Sequence, residues 1–420
     1  MSRPVPVLAK SLSRHDEMKI LTIHNKYQHR GGEDEVHEAE EQLLQSRGHQ
    51  VRSVIFDNVG ITGGFGAVRT GLSVTWSQAS YRRVAGEIAS WHPDIVNVHN
   101  FFPLATPAVH YAAAKAGVPV LQTLHNFRLL CPAGIFFRNG RVCEDCVGHS
   151  LPIPGVVHGC YHDSSLHSGA VALMLGVHRA LRTWHKKVSL FIALSEFAKQ
   201  KFIDSGIPES RILVKPNFVQ NVPSAGPGGD DFLYVGRLSE EKGIATLIRA
   251  MESTNIPAHL NIVGEGPMRP EVEAAVARGP RIRYLGRKPQ AEVLALMARS
   301  RYLVFPSECY ETFGRVAAEA FAGGTPVIAS RIGAAAEIVD DGRTGFHFRA
   351  GDSQDLGRVM TEACSFPEKL AEMRIDARRE YELKYTAERN YGLMMAAYEG
   401  VIANPTVQVL TSFENLSRQE

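Results

Sequence analysis

The sequence predicts an α/β fold of two doubly wound domains facing a cleft. Three observations carry this. Short apolar runs alternate with helix-like segments along most of the chain, the pattern of parallel strands covered on both faces. At 420 residues the chain exceeds one ordinary core. The alternation breaks around residues 216–231, where Pro223 opens the linker-like run Pro-Ser-Ala-Gly-Pro-Gly-Gly-Asp-Asp.

The elements follow in order. Met18–His24 is a short apolar strand, followed by the loop Asn25–Asp34 and a helix around Glu35–Arg47. Val51–Phe56 is the second strand. A helix through Tyr81–Trp91 leads to the strand Ile95–His99, and Val118–His125 and Leu190–Ser195 are further buried-type strands. These make a first domain over residues 18–218, with a linker at 219–231. A second series comprises Phe232–Val235, His259–Val263, Arg281–Leu285, Tyr302–Pro306 and Val327–Ala329, giving a second domain over 232–386. The helix-like stretch at 387–403 returns to the first domain. Residues 1–17 read as a loose leader and 404–420 as a polar tail.

Composition narrows the function classes. The chain is 44% hydrophobic and 21% charged, the balance of a soluble globular protein. A net charge of +2 gives no nucleic-acid footprint over the whole chain. No apolar run reaches membrane-span length, and the leader has no apolar signal core. A cytoplasmic location follows as the default.

The most informative segment is 308–345. Glu311 and Glu319 bracket a Thr-Phe-Gly turn that opens a small-residue helix, and Gly-Gly-Thr-Pro then leads into Val327–Ala329. A turn opening a helix presents unpaired N–H groups and a positive dipole end, which suits a phosphate. On one helix, eight residues would separate the carboxylates by roughly 12 Å. Glycosidase pairs sit about 5–9.5 Å apart, so these two grip opposite ends of a long ligand. After the strand Phe232–Val235 comes Gly236-Arg237-Leu-Ser-Glu-Glu-Lys242-Gly243, whose two cations suit a diphosphate leaving group. Gly264, in Gly-Glu-Gly-Pro, and Arg287, after Gly286, sit in turns that either line a nucleotide base or are purely structural.

Together these residues resemble glycosyltransferase family 4, the large family of retaining, nucleotide-sugar-dependent transferases with GT-B architecture. The matching residues are Pro216-Asn217, Gly236-Arg237 with Lys242-Gly243, Gly264-Glu265-Gly266-Pro267 and Pro306-Ser307. They continue through Glu311-x-Phe313-Gly314-x-x-x-x-Glu319-Ala320, Gly324-x-Pro326-Val327-Ile328-Ala329 and Gly342-x-Thr344-Gly345. The resemblance implies two Rossmann-like domains, the first on the acceptor side and the second binding the donor. It implies that Arg237 and Lys242 neutralise the donor diphosphate and that Glu319 binds ribose hydroxyls. Glu311 would contact the donor sugar, and N–H groups at Phe313 and Gly314 would hold phosphate or sugar oxygens. In the first domain, Arg30-Gly31-Gly32-Glu33 resembles the family's glycine loop, and His125 matches the histidine placed beside the donor sugar. His99 is expected to be structural.

The implied reaction moves a hexosyl unit from a UDP- or GDP-hexose to an acceptor hydroxyl by front-face attack. The acceptor would be a saccharide or lipid-linked sugar, in polysaccharide or glycolipid biosynthesis. The sequence contains no Asp-x-Asp motif, so Arg237 and Lys242 stand in for a catalytic metal, and no cofactor is expected for catalysis. A sugar-nucleotide epimerase of the same architecture and a non-catalytic scaffold of a polysaccharide assembly remain alternatives.

Two further features lie in the first domain. Cys131, Cys143, Cys146 and Cys160 fall in the loop 130–163, which predicts a structural zinc site, with unlinked thiols or a redox pair as alternatives. Ser168–Lys187 reads either as a basic amphipathic helix for peripheral membrane contact or as a core helix with a charged end.

Overall fold

The computed structural model describes residues 17–26, 31–58, 73–220 and 228–404. Leader residues 1–16, Arg30, linker residues 221–227 and the tail from residue 405 lie outside them.

The first domain contains β1 (Lys19–Lys26), β2 (Gln50–Asp57), β3 (Ile95–Val98), β4 (Val120–Thr123), the short pair β5 (Phe137–Arg138) and β6 (Arg141–Val142), β7 (Leu190–Ala193) and β8 (Ile212–Val214). Six of these strands form one parallel sheet in the order β2-β1-β3-β4-β7-β8, while β5 and β6 pair antiparallel. Its helices are α1 (Gly32–Ser46), α2 (Gln78–Trp91), α3 (Ala108–Lys115), α4 (Ile153–Val157), α5 (Ser165–Ala180), α6 (Thr183–Lys187) and α7 (Glu196–Asp204).

The second domain repeats the plan. Strands β9 (Phe232–Val235), β10 (Leu260–Val263), β11 (Ile282–Tyr284), β12 (Tyr302–Phe305), β13 (Val327–Ser330) and β14 (Gly345–Phe348) form a parallel sheet ordered β11-β10-β9-β12-β13-β14. The helices α8 (Ile244–Ser253), α9 (Arg269–Arg278), α10 (Gln290–Arg299), α11 (Arg315–Ala322), α12 (Gly333–Ile338), α13 (Ser353–Ser365) and α14 (Pro367–Lys384) accompany it. Strands such as Ile-Val-Asn-Val and Tyr-Leu-Val-Phe are buried at every position, as a sheet covered on both faces requires. In α8, Ile244, Leu247, Ile248 and Met251 form the i, i+3, i+4, i+7 stripe that packs into the core.

The last helix, α15 (Ala387–Ala403), returns to the first sheet. Tyr391, Met394, Met395, Tyr398 and Val401 join one core cluster with Ile20, Leu43, Ile95, Leu121 and Leu190. Four strands were not expected from the sequence. Ile212–Val214 spans only three residues, Gly345–Phe348 follows a Thr-Gly turn, and the β5–β6 pair has two residues a side. The stretch Ser168–Lys187 is not one helix: Arg182, at φ +54°, breaks it between α5 and α6.

Candidate active site

Both sheets reverse their strand order once, between β1 and β3 and between β9 and β12. The crevices beyond those reversals are where open α/β sheets leave room for a ligand. A cavity of about 390 Å³ occupies the space where the two crevices meet. Its walls include Gly32, Glu33 and His125 from the first domain and Gly236, Arg237, Lys242, Ser307, Glu311, Phe313 and Gly314 from the second.

On the second-domain side the turn after β9 is held from below. A Cβ at Gly264 would lie 1.8 Å from the Gly236 carbonyl oxygen, so only glycine lets the β10 turn support it. The Tyr234 hydroxyl donates to the Arg237 carbonyl at 2.8 Å and fixes the chain direction there. The Arg237 guanidinium makes no hydrogen bond or ion pair among the described residues and is exposed. Lys242 Nζ lies 2.5 Å from Glu311 Oε1, which also accepts from Ser307 Oγ at 2.6 Å. Burial alone would lower the Lys242 pKa, but the Glu311 carboxylate, with Cys309 and Glu241, outweighs it and raises the value. For Glu311, burial pushes upward, and Lys242 and Ser307 reverse that and lower it. Both groups therefore stay charged across neutral pH.

Glu311 precedes the helix; α11 begins at Arg315, so the two carboxylates do not share one helix. Gly314 is the N-cap at φ +108°, where a Cβ would meet Phe305 at 2.9 Å. Glu319 does not line the cavity. It accepts from Gln290 at 2.9 Å and pairs with Arg315 at 3.0 Å. Burial raises its pKa, with Arg315 and Gln290 opposing.

The Glu311–Arg315 segment is tied to the first domain. Thr312 donates to the His125 carbonyl at 2.8 Å, Ser195 Oγ donates to the Thr312 carbonyl at 2.8 Å, and Arg315 pairs with Glu35. Glu337 accepts from the Glu196 and Phe197 N–H groups at 2.8 and 2.7 Å, capping α7 across the domains. Glu33 accepts from Asn126 at 2.8 Å and Asn100 at 3.3 Å, which aligns α1 with the ends of β4 and β3. Burial, reinforced by His24, Lys215 and His37, lowers the His125 pKa to about 3, so the ring is neutral.

The structure thus brings Gly32, His125, Gly236, Arg237, Lys242, Glu311, Phe313 and Gly314 to one cavity. Gly31 instead caps α1, its N–H donating to Asp34 at 2.8 Å, and Gly264 supports the Gly236 turn. Arg287 is exposed and outside the cavity lining. Sequence reasoning missed Tyr234, Glu33 and Arg315. Tyr234 reads as an ordinary strand residue, whereas Glu33 and Arg315 adjoin glycines already singled out and were open to notice.

Two family models match the chain: Glycosyltransferase Family 4 over residues 30–220 and Glycosyl transferases group 1 over 220–380. A glycosyltransferase of Methanocaldococcus jannaschii, itself uncharacterized, is 31% identical over 257 residues, 59% of this chain and 69% of the relative. The chain belongs to glycosyltransferase family 4. The glycogen synthase of Mycobacterium tuberculosis is 29% identical over 302 residues, 70% of this chain. That match spans 66% of the synthase, just under two thirds of its length. Among solved structures, Anabaena HepE in complex with UDP and glucose superposes with a TM-score of 0.64. The match is 20% identical and covers 91% of this chain and all of HepE, and it shows the GT-B fold. The family 4 chain therefore has two Rossmann-like domains of GT-B type, as its sequence led us to expect.

The zinc expectation is not supported. Cys131, Cys143, Cys146 and Cys160 line one cavity of about 10 Å³. No group of three or more His, Cys, Asp or Glu among the described residues is placed to hold a metal ion. Cys131 belongs to the first-domain hydrophobic core. Burial pushes the Cys146 thiol up to about 11 and raises Cys160, with the neighbouring cysteines adding to the shift. Cys131 and Cys146 are buried and fill space as small apolar side chains. Among the described residues no helix is long and apolar enough to cross a membrane.

Proposed function

We propose that this family 4 protein transfers a hexosyl unit from a UDP- or GDP-hexose to an acceptor hydroxyl, with retention of anomeric configuration. The observation that carries the reading is the shared cavity: two cations, Arg237 and Lys242, face the start of α11, and Glu311 and His125 complete the walls. In this reading residues 18–218 form the acceptor side and 232–386 the donor side. Arg237 and Lys242 take the diphosphate, whose negative charge grows as its bond to the sugar lengthens. Exchange of Lys242 from Glu311 to the diphosphate leaves Glu311 free to accept sugar hydroxyls. The N–H groups at Phe313 and Gly314 hold phosphate oxygens, and Glu319 reaches the ribose from one turn deeper. The acceptor hydroxyl attacks from the face the diphosphate leaves, and a phosphate oxygen takes its proton. The charge that a divalent cation would supply comes from the two side chains.

The acceptor is a saccharide or lipid-linked sugar in polysaccharide or glycolipid synthesis, reached at the cytoplasmic face of a membrane. Exposed Leu166, Leu173 and Leu181 beside Arg182 and Lys186 support a peripheral contact there.

The test is a thermal-shift panel of UDP- and GDP-hexoses in EDTA. The selected donor is then incubated with the protein, with water as acceptor, and the released sugar is read by NMR before it mutarotates. An α-donor giving α-sugar supports retention, and β-sugar contradicts it. An epimerised nucleotide sugar would favour the epimerase reading. No stabilisation by any donor would favour the scaffold.

A further inference from the structure

Three strands that lie side by side in the first sheet, β1, β3 and β4, each end in or run directly into a His-Asn pair: His24-Asn25, His99-Asn100 and Leu124-His125-Asn126. The asparagines bind backbone, Asn58 and Glu33, whereas the histidines pack into one cluster. The His99 and His125 rings lie 5.3 Å apart, and His37 of α1 packs 4.7 Å from His24 and 4.9 Å from His99. His99 Nδ1 is 3.1 Å from His125 Nε2, so one proton lies between the rings. The other nitrogen of His125, Nδ1, makes no hydrogen bond to the described residues, and His125 lines the cavity.

The position of that proton follows from what surrounds the far side of His99. Glu40 Oε1 is 2.5 Å from Lys215 Nζ, and Glu40 Oε2 is 3.6 Å from His99 Nε2. Glu40, His99 and Lys215 are each only about 2% exposed. Two buried acceptors at this spot, Glu40 Oε2 and Asn97 Oδ1, lack a hydrogen-bond partner. Turning the Asn97 amide over puts its oxygen against both His99 Nε2, at 3.1 Å, and the Tyr398 hydroxyl, at 3.0 Å. The same turn carries the Asn97 NH2 to the place where its oxygen lacked a partner, so the amide does not decide the proton; the buried Glu40 carboxylate does, because its Oε2 faces His99 Nε2 at 3.6 Å and attracts a proton there while repelling a lone pair. With Nε2 protonated, the neutral His99 has a lone pair on Nδ1 and must accept from His125 Nε2–H.

We propose that Glu40 and His99 are positioning residues that hold His125 as its Nε2–H tautomer. The Nδ1 lone pair is then offered to the cavity as an acceptor for a sugar hydroxyl. The proposal deepens the donor-site reading by naming the direction of one hydrogen bond. It favours a donor carrying a free hydroxyl at that point over its deoxy or O-methyl counterpart. Burial, with neighbouring positive charge, lowers the pKa of both rings, in keeping with neutral imidazoles.

The test is tautomer NMR on the full chain labelled with 15N-histidine, with His125 assigned by the signals lost in His125→Asn. The proposal expects His125 in the Nε2–H form at neutral pH, favoured more than about tenfold, as a buried charge facing the far nitrogen of His99 allows. A predominant Nδ1–H form, or an imidazolium, overturns it. Glu40→Gln is expected to move His125 toward the Nδ1–H form while the protein still melts cooperatively. An unchanged tautomer removes Glu40 from the account. If that variant does not fold, His99→Phe, which deletes the acceptor, must cut the Nε2–H preference back to the small bias of an unbonded imidazole, and an undiminished preference refutes the role of His99. None of these readouts needs substrate, so failure of the donor-site reading leaves them intact and separable.

Discussion

Lys242 and Glu311 hold opposite charges at 2.5 Å at the centre of the cavity. Replacing Lys242 with alanine should lower kcat/KM for donor consumption by about 10²–10³, the range for removing one transition-state donor. The melting temperature should fall modestly, because Glu311 loses the partner that offsets its burial. A variant with full turnover would remove Lys242 from the mechanism. The pair also makes a pH prediction. Glu311 has a lowered folded pKa, so its contribution is complete above the ordinary carboxyl value of 4.5 and is lost as pH falls through the folded value. Lys242 has a raised one, so its contribution is complete below 10.5 and is lost as pH rises beyond. The stability difference between wild type and Glu311→Gln should therefore be flat from about pH 5 to pH 10 and shrink below that window. Urea unfolding at several pH values measures it. These two residues were legible because their chemistry sits in short local motifs. The lattice of Glu33 with Asn100 and Asn126 was not, since its members lie 67 and 93 positions apart and meet only through the sheet. His99 reads correctly as buried, but its bond to His125 depends on which strands are neighbours.

At the scale of elements, the start of α11 depends on backbone that only glycine adopts easily. Gly314→Ala would put a methyl group 2.9 Å from Phe305 at φ +108°. A loss of about 1–3 kcal/mol in urea unfolding is expected, accompanied by weaker donor binding as the Phe313 and Gly314 N–H groups shift. Unchanged stability would show that the cap is not strained. Most of the repeating strands were readable from the sequence because they are apolar runs bounded by turns and followed by helix-like segments. Strand β8 was hidden because three residues between Arg211 and Lys215 give no period to detect. The break at Arg182 was hidden too, since a positive φ at arginine is set by tertiary packing and leaves no mark in composition. The cysteines show a limit of another kind. Their clustering in sequence does persist in space, yet among the described residues no group of three or more is placed to hold a metal ion.

At the scale of the whole molecule, α15 is part of the first-domain core although it follows the second domain in sequence. Six of its side chains, from Tyr391 to Val401, are buried there, five of them large. At about 2 kcal/mol each, their removal costs roughly 10 kcal/mol, comparable with the entire stability of a domain. Truncation after Lys384 should therefore give a protein that binds a hydrophobic dye and melts without a cooperative first-domain transition. A soluble, cooperatively melting truncation would contradict this packing. The bonds of Thr312, Ser195, Arg315 and Glu337 across the domains place the donor-side turn against His125. The central claim is that this junction binds a nucleoside diphosphate through Arg237 and Lys242. Calorimetric titration of UDP and GDP into the full chain in EDTA tests it most directly. One of the two should bind, with affinity at least about tenfold weaker in Lys242→Ala, the equivalent of about 1.4 kcal/mol. Binding of neither, or equal binding by wild type and by both Lys242→Ala and Arg237→Ala, would contradict the account.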